Sequence, residues 1–460
     1  VTEELQRTTS SRNFWISVDN KMPWSATGMS CWQKAEKWNN SSDKSVVEAK
    51  PGLFTLKREN QNLKIASEIK VFIPEAGDHV ELLIISIENN NDIAVELDLT
   101  YSIPLYGRHA DNFRDHRQVT TMFQKNQVRK YGVSIKPNIV HDEHGHSPNK
   151  MSYFVAGTDA EGNYPEHIWS SMADFIGEGG GLDNPEAVFK KLVAPVNNQG
   201  QNDGKEAIGA FRFKKTRLEA SQKKSYIIIH GISENESDMD RWITKYGNIE
   251  NANASLQTTI KYWQDYTGTV NISSNDIIFD KWTSWIIYQV KARQIFGNSF
   301  LPDFGYGRGG RGWRDLWQDL LSIFLVDPES ARNEIVNNFR GVRIDGSNAT
   351  IISSKPGEFI ADRNNVARSW CDHGTWPAFV LNFYVQQTGD YDIYFENLPY
   401  WKDKFTSRTK VLIDDNWNNS TNKWQLDNKQ EVYEASVFEH ILIQQLSAFY
   451  NVGEHNILLL

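Results

Sequence analysis

The order of apolar and polar positions divides the chain in two. From Phe14 to about Ile232, short β-branched runs at residues 63–73, 80–87, 93–99 and 226–229 alternate in part between apolar and polar side chains, and clusters of Asn, Asp, Gly and Pro separate them. This pattern predicts strands joined by turns, and their regular spacing predicts a β-sandwich domain over residues 1–232. Two Gly/Asn-rich stretches, 177–184 and 197–204, read as long surface loops.

After Ser233 the period lengthens. Residues 234–246 and 252–266 set Trp242, Ile243, Tyr246, Leu256, Ile260 and Trp263 at helical spacing, which predicts a helical linker over 233–274. From 275 to 460 helical patterns dominate, at 276–296, 315–325, 328–339, 375–388, 391–406 and 431–450. Asp327-Pro328-Glu329 supplies a helix start, with proline in the first turn. Trp282, Trp285, Ile286, Tyr288 and Gln289 spread around their helix, so burial on more than one side is expected. The last residues, 457–460, are apolar with no polar tail. The expectation is a polypeptide completed by a further segment or by a second chain.

Composition narrows the function. Lys and Arg number 49 against 58 Asp and Glu, a net charge of −9, which argues against binding to nucleic acid or to an anionic membrane. No apolar run approaches the roughly 18 residues of a membrane span. Hydrophobic residues at 39% and charged residues at 23% exclude general disorder. Cys31 and Cys371 form neither a disulfide framework nor a CxxC zinc site, so a reducing, cytoplasmic setting is expected. The 16 tryptophans fit packing, and indoles also stack on the flat C–H faces of sugars, which makes carbohydrate the ligand class to weigh.

Two segments carry candidate chemistry. Phe304-Gly-Tyr-Gly-Arg-Gly-Gly-Arg-Gly-Trp-Arg-Asp315 combines glycines that permit close backbone approach with the forked donors Arg308, Arg311 and Arg314, and then opens a helix. It fits neither a Walker loop nor a dinucleotide fingerprint, and an ordinary Arg/Gly surface loop is the competing reading. In Arg368-Ser-Trp-Cys-Asp-His-Gly-Thr-Trp-Pro377, Asp372 lies between two indoles at the start of a helix. A carboxyl group that acts as an acid near neutral pH needs a desolvated setting, which Trp370 and Trp376 would provide. Arg368 works against this, and a helix N-cap is the other role open to Asp372.

These segments belong to a longer series. Trp282-Thr-Ser-Trp-Ile-Ile-Tyr-Gln289, Gly312-Trp-Arg-Asp-Leu-Trp-Gln-Asp319, Trp370-Cys-Asp-His-Gly-Thr-Trp376, Thr388-Gly-Asp390 and Phe438-Glu-His440 follow one another in an order and spacing that resemble glycoside hydrolase family 94, the inverting glycoside phosphorylases. Residues 14–28 resemble the opening of that family's sandwich domain. The resemblance implies an N-terminal β-sandwich, a helical linker and the first part of an (α/α)6 barrel over 275–460. It places Asp372 on the general acid, Trp370 on the aromatic beside it, Asp315 on a donor-sugar carboxylate, and Arg308 or Arg311 on the donor-site arginine. Arg314 and Trp313 complete the implied substrate-binding set. His373 stands where the family commonly has a second acidic residue. Arg293 sits too close to Gln289 for the family's phosphate arginine, and Asn298 and Ser299 occupy the better-aligned positions.

The implied reaction is reversible phosphorolysis of a β-glucosidic bond in a β-gluco-oligosaccharide, with inversion, giving α-glucose 1-phosphate. Inorganic phosphate is the co-substrate, no cofactor or metal is expected, and a homodimer is. An inverting hydrolase needs a second carboxylate to activate water, whereas phosphate is already an anionic nucleophile. A glucan hydrolase on this scaffold would draw its base from Glu358 or Asp362, and a non-catalytic glucan-binding module would tolerate loss of Asp372. His141-Asp-Glu-His-Gly-His146 has zinc-compatible histidine spacing, but on a polar loop it reads as a solvated cluster. About six helices make half a barrel, and half a barrel would expose apolar seams and lack activity by itself.

Overall fold

A computed structural model describes residues 12–36, 42–107, 117–142, 145–196, 200–296, 311–352, 358–360, 372–407, 412–418, 423–450 and 452–456. The chain forms two units, Val1–Asp265 and Tyr266–Leu460.

The first unit is built from β1 (Asn13–Val18), β2 (Trp24–Ser25), β3 (Asp43–Lys50), β4 (Leu53–Asn60), β5 (Ile65–Phe72), β6 (Val80–Asn89), β7 (Val95–Leu105), β8 (Gln124–Arg129), β9 (Gly132–Pro137), β10 (Ile139–Asp142), β11 (Gly145–Pro148), β12 (Ser152–Asp159), β13 (His167–Ser171), β14 (Ala207–Arg212), β15 (Thr216–Leu218) and β16 (Lys223–Ser233). Among the described residues, an eight-stranded antiparallel sheet runs β3-β4-β5-β6-β16-β12-β9-β8. A smaller sheet runs β13-β14-β7-β1-β2, with β15 also on β7, and faces it to give the β-sandwich expected from the strand pattern.

The near-continuous apolar runs of β6 and β16 have a direct cause. Leu83, Ile85, Ile87, Tyr226 and Ile228 point toward the smaller sheet, in a core with Phe14, Leu97, Leu99 and Phe211. Leu82, Ile84, Ile227 and Ile229 point the other way, onto Trp242, Tyr246 and Leu256 of the helices α1 (Asp238–Tyr246) and α2 (Ile249–Thr267). With both faces covered, these strands lose the polar alternation of a half-exposed sheet. Each such side chain contributes about 1.5–3 kcal/mol. In the turn between β3 and β4, Gly52 has φ 72° and lies so close to the Trp263 indole of α2 that a β-carbon there would overlap the ring.

The second unit is mainly helical: α3 (Ile277–Phe296), α4 (Trp313–Val326), α5 (Pro328–Phe339), α6 (Thr375–Thr388) and α7 (Val437–Tyr450). In α4, Trp313, Leu316, Trp317, Leu320, Ile323 and Phe324 recur at helical spacing and meet Ala331, Ile335 and Phe339 of α5 and Val380, Leu381, Tyr384 and Val385 of α6. Asp327 caps α5 by accepting from Ser330 N at 3.1 Å, with Pro328 in the first turn, as its sequence predicts. The helix expected at 391–406 does not form. A 3-10 turn at Asp392–Phe395 and short strands at Asn397–Pro399 and Phe405–Ser407 take its place. Likewise α7 begins only at Val437, after a strand at Glu434–Ser436.

Part of the tryptophan excess goes into packing. Trp15, Trp169, Trp242, Trp313 and Trp317 are all wholly buried. Among the described residues, no helix is long and apolar enough to cross a membrane.

Candidate active site

Three pieces of the second unit converge around Asp372. The first is the start of α4, held by a short sheet of β17 (Arg311–Gly312), β18 (Ile351–Ile352) and β19 (Phe359–Ile360), which pairs Arg311 with Ile352 and Ile351 with Ile360. Trp313 N donates to Thr350 O at 2.9 Å and fixes where the helix begins. The second piece is the turn from Asp372 into α6. The third is α7, whose Gln445 Nε2 donates to Gly374 O at 2.7 Å.

The helix start itself uses the backbone of Asp372. Its carbonyl accepts from Thr375 N at 3.1 Å and Trp376 N at 3.2 Å, and the N-cap position falls on Gly374. The N-cap role open to the Asp372 side chain is therefore not the one it takes. Its carboxylate turns to α4 instead, where Oδ2 accepts from Arg314 Nη1 at 2.9 Å and from Trp376 Nε1 at 3.3 Å. Burial pushes the Asp372 carboxyl up, but the hydrogen bond and charge of Arg314, the Trp376 N–H and the nearby His373 outweigh it and hold the group below the usual aspartate range. Sequence reasoning expected Trp376 to supply an apolar wall. Its indole presents its polar edge, and the carboxylate is ionised in this arrangement.

The other site residues separate into three groups. Arg314 and Asp315 both stand in the first turn of α4, and the Asp315 carboxylate folds back against Gly312 at the helix entry, where an acidic group complements the helix dipole. Trp313 departs from expectation. It is wholly buried, its Nε1 donates to His373 O at 3.0 Å, and its ring packs edge-on against Trp317, so it braces the Asp372 turn from beneath and presents no face to a sugar. Arg311 is placed by its backbone alone, and Trp370, Arg308, Arg368, Asp362, Asn298 and Ser299 lie outside the described residues.

His373 is buried and its Nδ1 lies 3.1 Å from Asn348 Nδ2, which turns the ring into the protein rather than toward an acceptor. Asn348 and Gln445 are the supports that sequence reasoning missed. Neither stands in a recognisable motif, and each acts across the fold. In the histidine-rich stretch, β10 and β11 pair antiparallel with His141 opposite His146. Among the described residues, no group of three or more His, Cys, Asp or Glu side chains could hold a metal ion.

Known proteins are similar to this chain in sequence. The chain is 26% identical over 254 residues to the cyclic beta-(1,2)-glucan synthase NdvB of Rhizobium meliloti (strain 1021), covering 55% of this chain and 8% of that protein. It is 23% identical over 305 residues to the N,N'-diacetylchitobiose phosphorylase of Vibrio furnissii, covering 57% of this chain and 37% of that one. It is 20% identical over 395 residues to the enzyme of the same name from Vibrio proteolyticus, covering 80% and 46%. The chain thus spans less than half the length of these curated relatives. Residues 5–249 match the supersandwich domain of glycosyl hydrolase 94 and residues 262–411 match the catalytic domain of that superfamily, and with a sandwich followed by a helical unit that carries the Asp372 cluster, the chain belongs to the glycosyl hydrolase 94 family.

Proposed function

We propose that the protein containing this chain catalyses reversible phosphorolysis of a β-glucosidic bond in a β-gluco-oligosaccharide, with inversion, giving α-glucose 1-phosphate. The observation that carries the reading is Asp372 Oδ2 held by Arg314 and Trp376 beside the acidic start of α4. This is one carboxylate with fixed donors, set among cationic and aromatic side chains. In the forward direction the Asp372 proton passes to the glycosidic oxygen, the bond from that oxygen to the anomeric carbon breaks, and a phosphate oxygen attacks the same carbon from the opposite face. A cationic neighbourhood suits both the phosphate and the charge that develops on it. Phosphorylases among the relatives favour phosphate over water as the nucleophile. The glucan synthase relative makes a β-1,2-linked oligoglucan the first acceptor to test.

Asp372 must be protonated to act, yet this structure holds it low. Substrate closes water off from the carboxyl group, and the phosphate charge offsets that of Arg314, so both changes move the proton affinity upward on binding. The full-length protein should release phosphate from α-glucose 1-phosphate when given a β-gluco-oligosaccharide acceptor. Asp372→Asn should slow this by about 10²–10⁴-fold. Sugar release that needs no phosphate would overturn the reading in favour of a hydrolase. The pH profiles provide a second check: kcat/KM, set by the unliganded enzyme, should begin to fall at lower pH than kcat does.

A further inference from the structure

The two donors to Asp372 reach the same oxygen. Arg314 Nη1 and Trp376 Nε1 both end on Oδ2, at 2.9 and 3.3 Å, and arrive from different elements, α4 and α6. Oδ1 has no hydrogen bond among the described residues. A carboxylic acid has one oxygen that carries the proton and one that accepts, and an oxygen already receiving two N–H groups is the accepting one. The approach of Arg314 is itself fixed, because the neighbouring Trp313 is buried and bonded to His373 O, which ties the α4 backbone to the residue after Asp372.

Resting on the phosphorylase reading above, we propose that Arg314 is a positioning residue that locks the Asp372 carboxyl through Oδ2, so that Oδ1 is the atom that delivers the proton to the leaving sugar. In the step itself the Oδ1–H bond breaks as the proton joins the glycosidic oxygen, the electron pair of the C–O bond goes to that oxygen, and phosphate forms the new C–O bond. Oδ2 stays bonded to its two donors and takes up the returning carboxylate charge. Among the described residues, the charged or titratable groups acting on Asp372 are Arg314 from α4 and His373 from its own turn. This arrangement orders the acid at a cost in proton affinity that substrate must reverse.

The test compares two donors in the full-length enzyme with phosphate present: a β-gluco-oligosaccharide, whose leaving oxygen needs a proton, and 2,4-dinitrophenyl β-glucoside, whose leaving oxygen does not. R314Q should lose about 10²-fold more in kcat on the oligosaccharide than on the activated donor, whatever loss the two share, and R314K should recover part of that difference. The alkaline limb of kcat/KM should also move to higher pH in R314Q, since a positive charge has left the carboxylate. Equal losses on both donors would make Arg314 a sugar-binding group and overturn the proposal, as would full activity on the oligosaccharide. Phosphate dependence and Asp372→Asn separate the two levels: sugar release without phosphate defeats the phosphorylase reading, full activity of Asp372→Asn defeats the acid role of Asp372 within it, and an Asp372→Asn variant inactive on the oligosaccharide beside an active R314Q defeats only the positioning role. Should R314Q not fold, Trp376→Phe removes the second donor to Oδ2 while keeping a ring, and the same comparison of donors applies.

Discussion

Asp78, in the turn between β5 and β6, shows what single side chains do for the sandwich. It accepts from Lys245 Nζ and Tyr246 Oη, each at 2.6 Å, and so ties α1 to the sheet. Burial alone would raise its carboxyl, but these donors and Trp242 bring it down to about 2. A carboxylate held lower in the folded protein than in the unfolded chain stabilises the fold fully above about pH 4, and that contribution drains away as pH falls toward 2. Asp78→Asn should therefore cost about 1–3 kcal/mol at neutral pH in urea melts, and the gap to the parent protein should narrow at pH 3. An unchanged gap would assign the loss to packing. At this scale the sequence revealed what local spacing encodes. Asp372 stood out because two indoles flank it within seven residues of chain, whereas its partner Arg314 lies 58 residues away and the link exists only once α4 and α6 have packed.

Helices with strong periodicity or a clear cap formed close to where the pattern placed them. The pattern over 328–339 coincides with α5 because Asp327 and Pro328 define its start chemically. Asp327→Ala should lower stability by about 0.5–2 kcal/mol, with Asp327→Asn close to neutral, as read by thermal melts of the two variants. Over 391–406, apolar residues at helical intervals misled. Pro399 cannot donate within a helix, Leu398 pairs with Ala435 in a strand, and Glu396 is drawn to Arg332 Nη2 at 2.8 Å. Buried Tyr400 stacks between Tyr433 and His440, a long-range demand that no local pattern announces.

The whole molecule keeps apolar surface in view on three helices of the second unit: Trp282, Trp285 and Ile286 on α3, Phe379 and Phe383 on α6, and Phe438, Leu442 and Leu446 on α7. The sequence leads to the expectation of such seams, since about six helices make only half a barrel. A protein of residues 1–460 should consequently bind a hydrophobic dye and self-associate in light scattering, and a monodisperse monomer that ignores the dye would contradict this. The turn at Gly52 carries a consequence of a different kind. Where the indole of Trp263 leaves no room for one more carbon and the backbone sits at positive φ, the two positions are bound to a shared mutational fate. A saturation library at codon 52 should return glycine alone, and alanine should gain ground only in a background where the tryptophan has been trimmed first, still short of glycine because the positive φ remains, so that any drifting lineage must cross that pair of changes in one order.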